Sequence, residues 1–383
     1  MPRSSEATPR LLFDEHFAAL KDPRDPDKVE HSLRNLLLLA LAAVLAGERG
    51  WDGMALVAAE RADDLRDLLD PADGTPCADT FRRVFGVLNP DVFAACLAAW
   101  TRALAGALTG EVVAFDGKSH RGTERRCKGQ RPLHTLHAWA TRQRLLLRHQ
   151  TVAGAPEEVA GIVATLRLLS VTGTIITTDA NGCTREVAQA VRDSQNHYLL
   201  ALKGNRAALH TAVVAAFTTA GTGGLARGRA TDYVWAGGHG HGRTEFRQVW
   251  TLPATALGAD RAKLPDLTTL VHVVRTRRTA AGLSSEDAYY VTDLRATAKY
   301  LGDAIRAHWG VENHLHHSLD VVFGEDRSRV RDKIAADNLG SVRRIADALL
   351  RRDTSKMSLT MKSRRAALSS TFLRHLLTLD LDS

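Results

Sequence analysis

Two short runs constrain the fold of this 383-residue chain more than anything else in it. Val112-Val113-Ala114-Phe115-Asp116 and Ile175-Ile176-Thr177-Thr178-Asp179 are apolar or β-branched, too short for helices, and each ends on an acid. Both alternating faces of the first are apolar, which suits a central strand covered on two sides. The residues around these runs alternate in character. Pro132–Gln143 and Leu145–Val152 read as strands joined by a tight turn near Arg144. Pro156–Ser170 reads as a helix, with proline in its first turn and Glu157 and Glu158 near its positive end. Cys183–Gln195 is a second helix and His197–Leu202 a further strand. The order strand, strand, strand, helix, strand, helix, strand predicts an α/β core.

The flanks differ. Residues 11–105 read as helical, with apolar residues at three and four spacing and breaks at Asp22-Pro23, Asp70-Pro71 and Asn89-Pro90. After residue 205 come about 90 residues with a Gly-rich stretch, Thr219–Gly228, and β-like runs at Phe246–Leu252, Leu267–Thr276 and Ala288–Val291. A long helix, about Ala296–Phe323, and a helical, basic tail, about Lys333–Leu379, follow. The expected division is therefore a helical N-terminal region (1–108), the first part of the core (109–205), a mostly β insertion (206–294), the completion of the core (295–350) and a basic helical tail (351–383).

Charge is concentrated. Lys and Arg number 51 against 43 Asp and Glu, a net of +8. Residues 327–374 hold 13 Lys/Arg and 4 Asp, a local +9, so the remainder stands at −1. Such a block suits a polyanion, nucleic acid first, or else a solvated helical surface. Arg343, Arg344, Arg351 and Arg352 are its candidate DNA contacts. Four cysteines lack metal-ligand spacing and are too few for a disulfide framework, which points to a reducing cytoplasm. Met1–Arg10 has no apolar leader core, and the most apolar run, Leu36–Ala46, is about half of the ~20 residues a membrane span needs. It is expected to be a buried helix, and no membrane partner is expected.

Leu301, Ile305, His308, Glu312, Leu315, Leu319 and Val322 are spaced 4, 3, 4, 3, 4, 3, which forms one stripe of the long helix with Glu312 at its centre. A carboxylate in an apolar seam needs a cation, a hydrogen-bond cage or a cleft. A core glutamate paired with arginine, or a stripe that simply faces water there, is the simpler alternative, and a turn or cap role is the alternative for each aspartate. Three acids from two strand ends and one helix, with no cysteine, would make an oxygen-ligand site suited to Mg²⁺ or Mn²⁺.

Several motifs resemble one group of bacterial proteins. They are Val113-Ala-Phe-Asp-Gly-Lys-Ser-His-Arg-Gly122, Ile176-Thr-Thr-Asp-Ala-Asn-Gly-Cys183, Tyr198-Leu-Leu-Ala-Leu-Lys-Gly-Asn205, His308-Trp-Gly-Val-Glu-Asn-His-Leu-His316 and Leu319-Asp-Val-Val-Phe-Gly-Glu-Asp326, with Asp79-Thr-Phe-Arg-Arg-Val-Phe85 upstream. This set, in this order from about Phe13 to Leu350, resembles the insertion-sequence transposases of the ISAs type, also called H-repeat-associated proteins. These are DDE transposases with an RNase H-like core. The resemblance implies a mixed-sheet catalytic core interrupted by the β insertion. It implies that Asp116, Asp179 and Glu312 form the triad that holds two Mg²⁺ or Mn²⁺ ions. It also implies DNA partners, both terminal inverted repeats and target DNA, a homodimer on DNA, and a cytoplasmic, nucleoid-associated location. The sequence departs from the family where Ala153-Gly-Ala-Pro-Glu-Glu158 replaces a Lys-Ser-Asn-Glu-like motif. It departs again at Ile305, His308 and Leu319, where the wider superfamily often carries Tyr, Arg and Lys.

Lys118, Arg121, Lys203 and Arg306 are candidate phosphate contacts near the acids, with ordinary surface charge as the alternative. Gly237-Gly-His-Gly-His-Gly-Arg243 reads as a Gly-rich hairpin before it reads as a metal site through His239 and His241. Trp309 is a core residue or a base-stacking one. A zinc hydrolase is the competing enzyme class, because His308, Glu312 and His316 recur at i, i+4 and i+8, but it leaves both aspartates unexplained. A catalytically inactive or domesticated DNA-binding relative is the third reading.

Overall fold

A computed structural model describes residues 15–379, except 71–73, 125–130, 155–156, 222–231, 241–242 and 281. Cys127, His241, Pro156 and most of the Gly-rich stretch lie outside the described residues.

Four helices open the fold: α1 Leu33–Leu45, α2 Trp51–Arg61, α3 Ala78–Val87 and α4 Pro90–Ala105. Ser32 caps α1, and Asn89 caps α4 ahead of Pro90. Leu36–Leu45 is buried throughout. Among the described residues no single helix is long and apolar enough to cross a membrane.

The core follows as β1 Val112–His120, β2 Leu133–Ala140, β3 Leu145–Val152, α5 Glu158–Leu169, β4 Ile175–Thr178, α6 Arg185–Asp193 and β5 His197–Leu202. This is the order read from the sequence, and Arg144 makes the β2–β3 turn with φ 54°. Strands β1, β4 and β5 run parallel, β2 is antiparallel to β1 and β3 antiparallel to β2, in the spatial order β3-β2-β1-β4-β5. That is the RNase H-like arrangement.

The insertion supplies α7 Ala207–Thr219, β6 Asp232–Gly240, β7 Arg243–Pro253, β8 Thr269–Thr279 and β9 Gly282–Thr292. Its strands continue the core sheet, because β9 pairs antiparallel with β5 (Leu199 opposite Thr292), giving nine strands in the order β3-β2-β1-β4-β5-β9-β8-β7-β6. The buried Asp293 locks this seam by accepting from the Tyr198 backbone N–H and pairing with His197 and Arg192. The Gly-rich hairpin is present, with Gly240 opposite Arg243 in the β6–β7 pair.

The long helix is broken. It comprises α8 Ala298–His308, a π-helical stretch Val311–His316 and α9 His317–Val321. Last come α10 Lys333–Arg352, α11 Leu359–Leu368 and α12 Ser370–Leu377. Helix α10 packs against α1, α3, α4 and β3. Buried Asn338 of α10 donates to the Phe85 and Leu88 carbonyls at the end of α3. The N-terminal helices, one face of the sheet and α10 share one apolar core. The opposite face is covered by α8 through Ala298, Leu301, Ala304 and Ile305 against Ile175, Leu199 and Val271.

Candidate active site

The parallel register brings the two aspartates together. Phe115 of β1 lies opposite Thr178 of β4, so Asp116 and Asp179 are the next residues on neighbouring strands, which run about 4.8 Å apart. Ala114 pairs with Thr177, so by the two-residue period Ala114, Asp116 and Lys118 share a face with Thr177 and Asp179. The broken helix lies over that face and is pinned at two points. His308, ending α8, shares a 2.8 Å hydrogen bond with Thr177 Oγ1. His316, ending the π stretch, shares a 3.0 Å hydrogen bond with His137 Nδ1, and its own Nδ1 stands 3.4 Å from Asp116 Oδ2. Glu312 lies midway between the two pins.

Glu312 is exposed, whereas Leu301, Ile305, Leu315, Leu319 and Val322 are buried. The single-stripe expectation is thus corrected: the wider π turn shifts the helical register, so the glutamate faces the cleft while the apolar positions stay in the core. The same break divides the proposed zinc ligands, with His308 engaged on β4 and His316 on β2. Among the described residues no three His, Cys, Asp or Glu side chains close on a point that would hold a metal ion. That holds for Asp116, Asp179 and Glu312 as well, which are neighbours but are not drawn to coordinating distance.

The electrostatics of the acids are unbalanced. Asp116 is half-buried, and its carboxyl is pushed up to about 7, first by burial and then by Asp179, Glu158 and Glu312. Asp179 is raised by burial and by Glu158, against the Gly182 and Asn181 N–H groups and Lys203. His316 is held down at about 3 by burial and by Lys118 and Arg344, so it is neutral and brings Asp116 no compensating charge. Lys118 is turned to Asp320 at 2.7 Å and Asp326 at 3.3 Å. Crowded carboxylates that raise one another's affinity for protons are a donor set suited to a hard divalent cation, so the residues fit Mg²⁺ or Mn²⁺.

Glu158, a helix-start residue and the last of the Ala153–Glu158 run that departs from the family motif, adds a fourth acid. It receives a hydrogen bond at 2.7 Å from His134, whose other ring nitrogen bonds Ser119 Oγ at 2.8 Å. Its carboxylate stands over Gly117, where a Cβ would lie 2.1 Å from Glu158 Oε1. Its sequence signal is slight: an acid in the first turn of the helix after β3.

The candidate DNA contacts separate into two sets. Arg121, Lys203 and Arg306 are exposed. Arg306 opens on a cleft of about 910 Å³ between α8 and β7–β9 that also contains Arg247, Arg275, Trp309 and Glu312. Trp309 is 39% exposed with the Arg275 guanidinium over its ring, so it is not a core residue. Arg343 and Arg344, by contrast, are each 2% exposed, and the expectation that they contact DNA is corrected. Arg344 pairs with buried Glu325 and donates to His137 Nε2, while Arg343 donates to the Arg49 carbonyl and Ser328. Arg351 is spent on Asp347, Ser318 and the His314 carbonyl, and Arg352 donates to the Leu104 carbonyl. These two are half-buried and tied to the core, so the two arginine pairs do not form one basic face. The local charge count could not reveal this, because α10 is buried on nearly all sides.

A sheet in the order β3-β2-β1-β4-β5, with Asp116 midway along β1, Asp179 just past the end of β4 and a glutamate on a helix over the same face, defines an RNase H-like core of the DDE type. Residues 108–343 match the transposase DDE domain family, and residues 14–101 match the DDE_Tnp_1-associated family. The chain belongs to the DDE transposases. It is 30% identical over 370 residues to the H repeat-associated putative transposase YhhI of Escherichia coli K12, covering 95% of this chain and 97% of the relative. It is 31% identical, over the same shares, to the putative protein YbfL of that strain. It is 35% identical over 279 residues to an uncharacterized protein in the dhlA 3′ region of Xanthobacter autotrophicus, covering 72% of this chain and 92% of the relative.

Proposed function

We propose that this chain is the transposase of an insertion sequence, cutting DNA strands at the element ends and transferring them to target DNA, with Asp116, Asp179 and Glu312 as its catalytic carboxylates. The observation that carries the reading is the adjacency of Asp116, midway along β1, and Asp179, just past the end of the parallel β4, beneath a helix pinned on both sides of Glu312. In cleavage, a water oxygen bonds to phosphorus and the bond to the 3′ oxygen breaks, which frees a 3′-hydroxyl. In transfer, that hydroxyl oxygen bonds to a target phosphorus and the target's own bond from phosphorus to its 3′ oxygen breaks, so that a target 3′-hydroxyl leaves. Two divalent ions, Mg²⁺ or Mn²⁺, when held by the three acids, stabilise the attacking and leaving oxygens. The chain's own residues supply the rest. His308 and His316 fix the helix that carries Glu312. Arg306, Lys203 and Arg121 stand exposed around the acids, where they can take phosphates, and Lys118 bridges the acidic rim.

Joining two ends requires two such sites, so the working form is a homodimer on terminal repeats and target DNA, located with the nucleoid. The alternative, an inactive DNA-binding relative, would keep the fold and lose turnover.

Asp116→Asn retains shape and removes the charge needed for a cation. Assayed on a duplex carrying the element's terminal repeat with Mg²⁺, the variant should lose strand cleavage at least a hundredfold and keep DNA affinity within about twofold. Cleavage at the wild-type rate would remove Asp116 from the triad, and an inactive wild-type protein that binds the repeat would favour the alternative.

A further inference from the structure

The positive charge that α10 hides is partly displayed elsewhere. Between the active-site rim and α10, the chain runs through Arg327, Ser328, Arg329, Val330 and Arg331. Ser328 and Val330 are buried, and the three arginines between and beside them are exposed. The backbone is extended at Ser328 (φ −59°, ψ 133°) and at Asp332 (φ −69°, ψ 126°), which suits this alternation. None of the three arginines has a carboxylate partner among the described residues.

Arg329 and Arg331 form one wall of a cleft of about 740 Å³, and helix α3 forms the other with Arg82 and Arg83. Those two arginines are exposed and share a single carboxylate, Asp79. Arg24 and Lys28, paired with Asp22 and Asp25, complete the rim, so six basic side chains line the cleft, with Glu30 and Asp332 as the acids of its lining. One of those acids is already engaged, because Asp332 caps α10 by accepting from the Ala335 N–H. The segment is continuous with the active site: Asp326, the residue before Arg327, pairs with Lys118 and lies 4.0 Å from Arg121.

We propose that this cleft, walled by α3 and residues 327–331, binds the phosphate backbone of duplex DNA and leads it to the acidic site. Exposed guanidiniums on two facing walls, two of them sharing one carboxylate on α3 and two without a carboxylate partner among the described residues, are the chemistry that recognises a polyanion. The proposal rests on DNA being the substrate, so its test reads binding in EDTA, where cleavage contributes nothing.

The test compares the full-length protein with two variants of equal charge loss. One is Arg82→Gln, Arg83→Gln, Arg329→Gln and Arg331→Gln together. The control replaces the exposed Arg167, Lys356, Arg364 and Arg365 with Gln. Affinity for a short, random-sequence duplex is measured by fluorescence anisotropy across a salt series. Each phosphate contact adds about 0.9 to the slope of log K against log salt, so the cleft variant should be shallower by about 3.6 and bind at least tenfold more weakly, while the control stays near wild type. A wild-type slope in the cleft variant overturns the proposal, as does an equal flattening in both variants. Should the fourfold variant unfold, Arg329→Gln with Arg331→Gln serves instead, since neither side chain has a partner among the described residues, and it should flatten the slope by about 2. Loss of this slope with cleavage chemistry retained on high protein concentrations separates the cleft from the catalytic reading.

Discussion

Glu325 and Arg344 show how a residue's charge and its role can part. Both are almost fully buried, their side chains pair at 3.3 Å, and the Lys118 ammonium stands 4.0 Å from the same glutamate. Burial raises the Glu325 carboxyl, but His120, Arg344, Arg343 and Lys118 outweigh it and hold the group down at about 2. A buried pair of this kind is costly to break, because the remaining ion has no solvent. Arg344→Met should therefore destabilise the fold by about 3–5 kcal/mol in urea or thermal unfolding, and leave the salt dependence of DNA binding unchanged. A stable variant with a flattened salt slope would return Arg344 to the DNA surface. In the sequence, Arg343-Arg344 is indistinguishable from Arg82-Arg83, since each is a basic pair on an amphipathic helix. Only tertiary packing decides that the first is interior and the second exposed. Asp179, in contrast, was legible, because an acid just past a buried parallel strand has few places to point except the sheet's ligand-binding edge, whereas Asp116 was expected to end its strand and β1 runs on to His120.

At the scale of elements, periodicity located nearly every strand and helix of the core. The apolar runs set β1 and β4, and the helix after β3 begins within two residues of its expected start. The π stretch was not legible. The 4, 3 spacing through Glu312 fits an unbroken helix, and the extra residue in the turn is fixed by two contacts between elements distant in sequence, His308 with Thr177 and His316 with His137. Nor did composition reveal that the insertion would join the core sheet, since edge pairing depends on which strand is left open. With β9 on β5, the β5 amides are interior to the sheet. Hydrogen exchange at Leu200 and Leu202 should therefore be about as slow as at Ile176 in β4. Exchange at the rate of a solvent-exposed edge strand would mean that the insertion is a detached unit.

Taken whole, the molecule divides its labour between faces of one sheet. The N-terminal helices and α10 build a shared core on one side, with Asn338 tying α10 to the end of α3. The other side carries Asp116, Asp179 and the pinned helix. The helical N-terminal region and the basic tail were each readable as elements, but not their union, because their contacts span some 250 residues of sequence. Catalysis, as proposed, requires that the acids on the active face take up a divalent cation. The most direct measurement is an anomalous difference map at the manganese edge from crystals of the full chain soaked in Mn²⁺, with Asp116→Asn crystals beside them. The expected result is a peak against the carboxylates of Asp116 and Asp179, with Glu312 turned toward it, and no such peak in the variant. A peak held by other side chains, or none at saturating Mn²⁺, would contradict the triad.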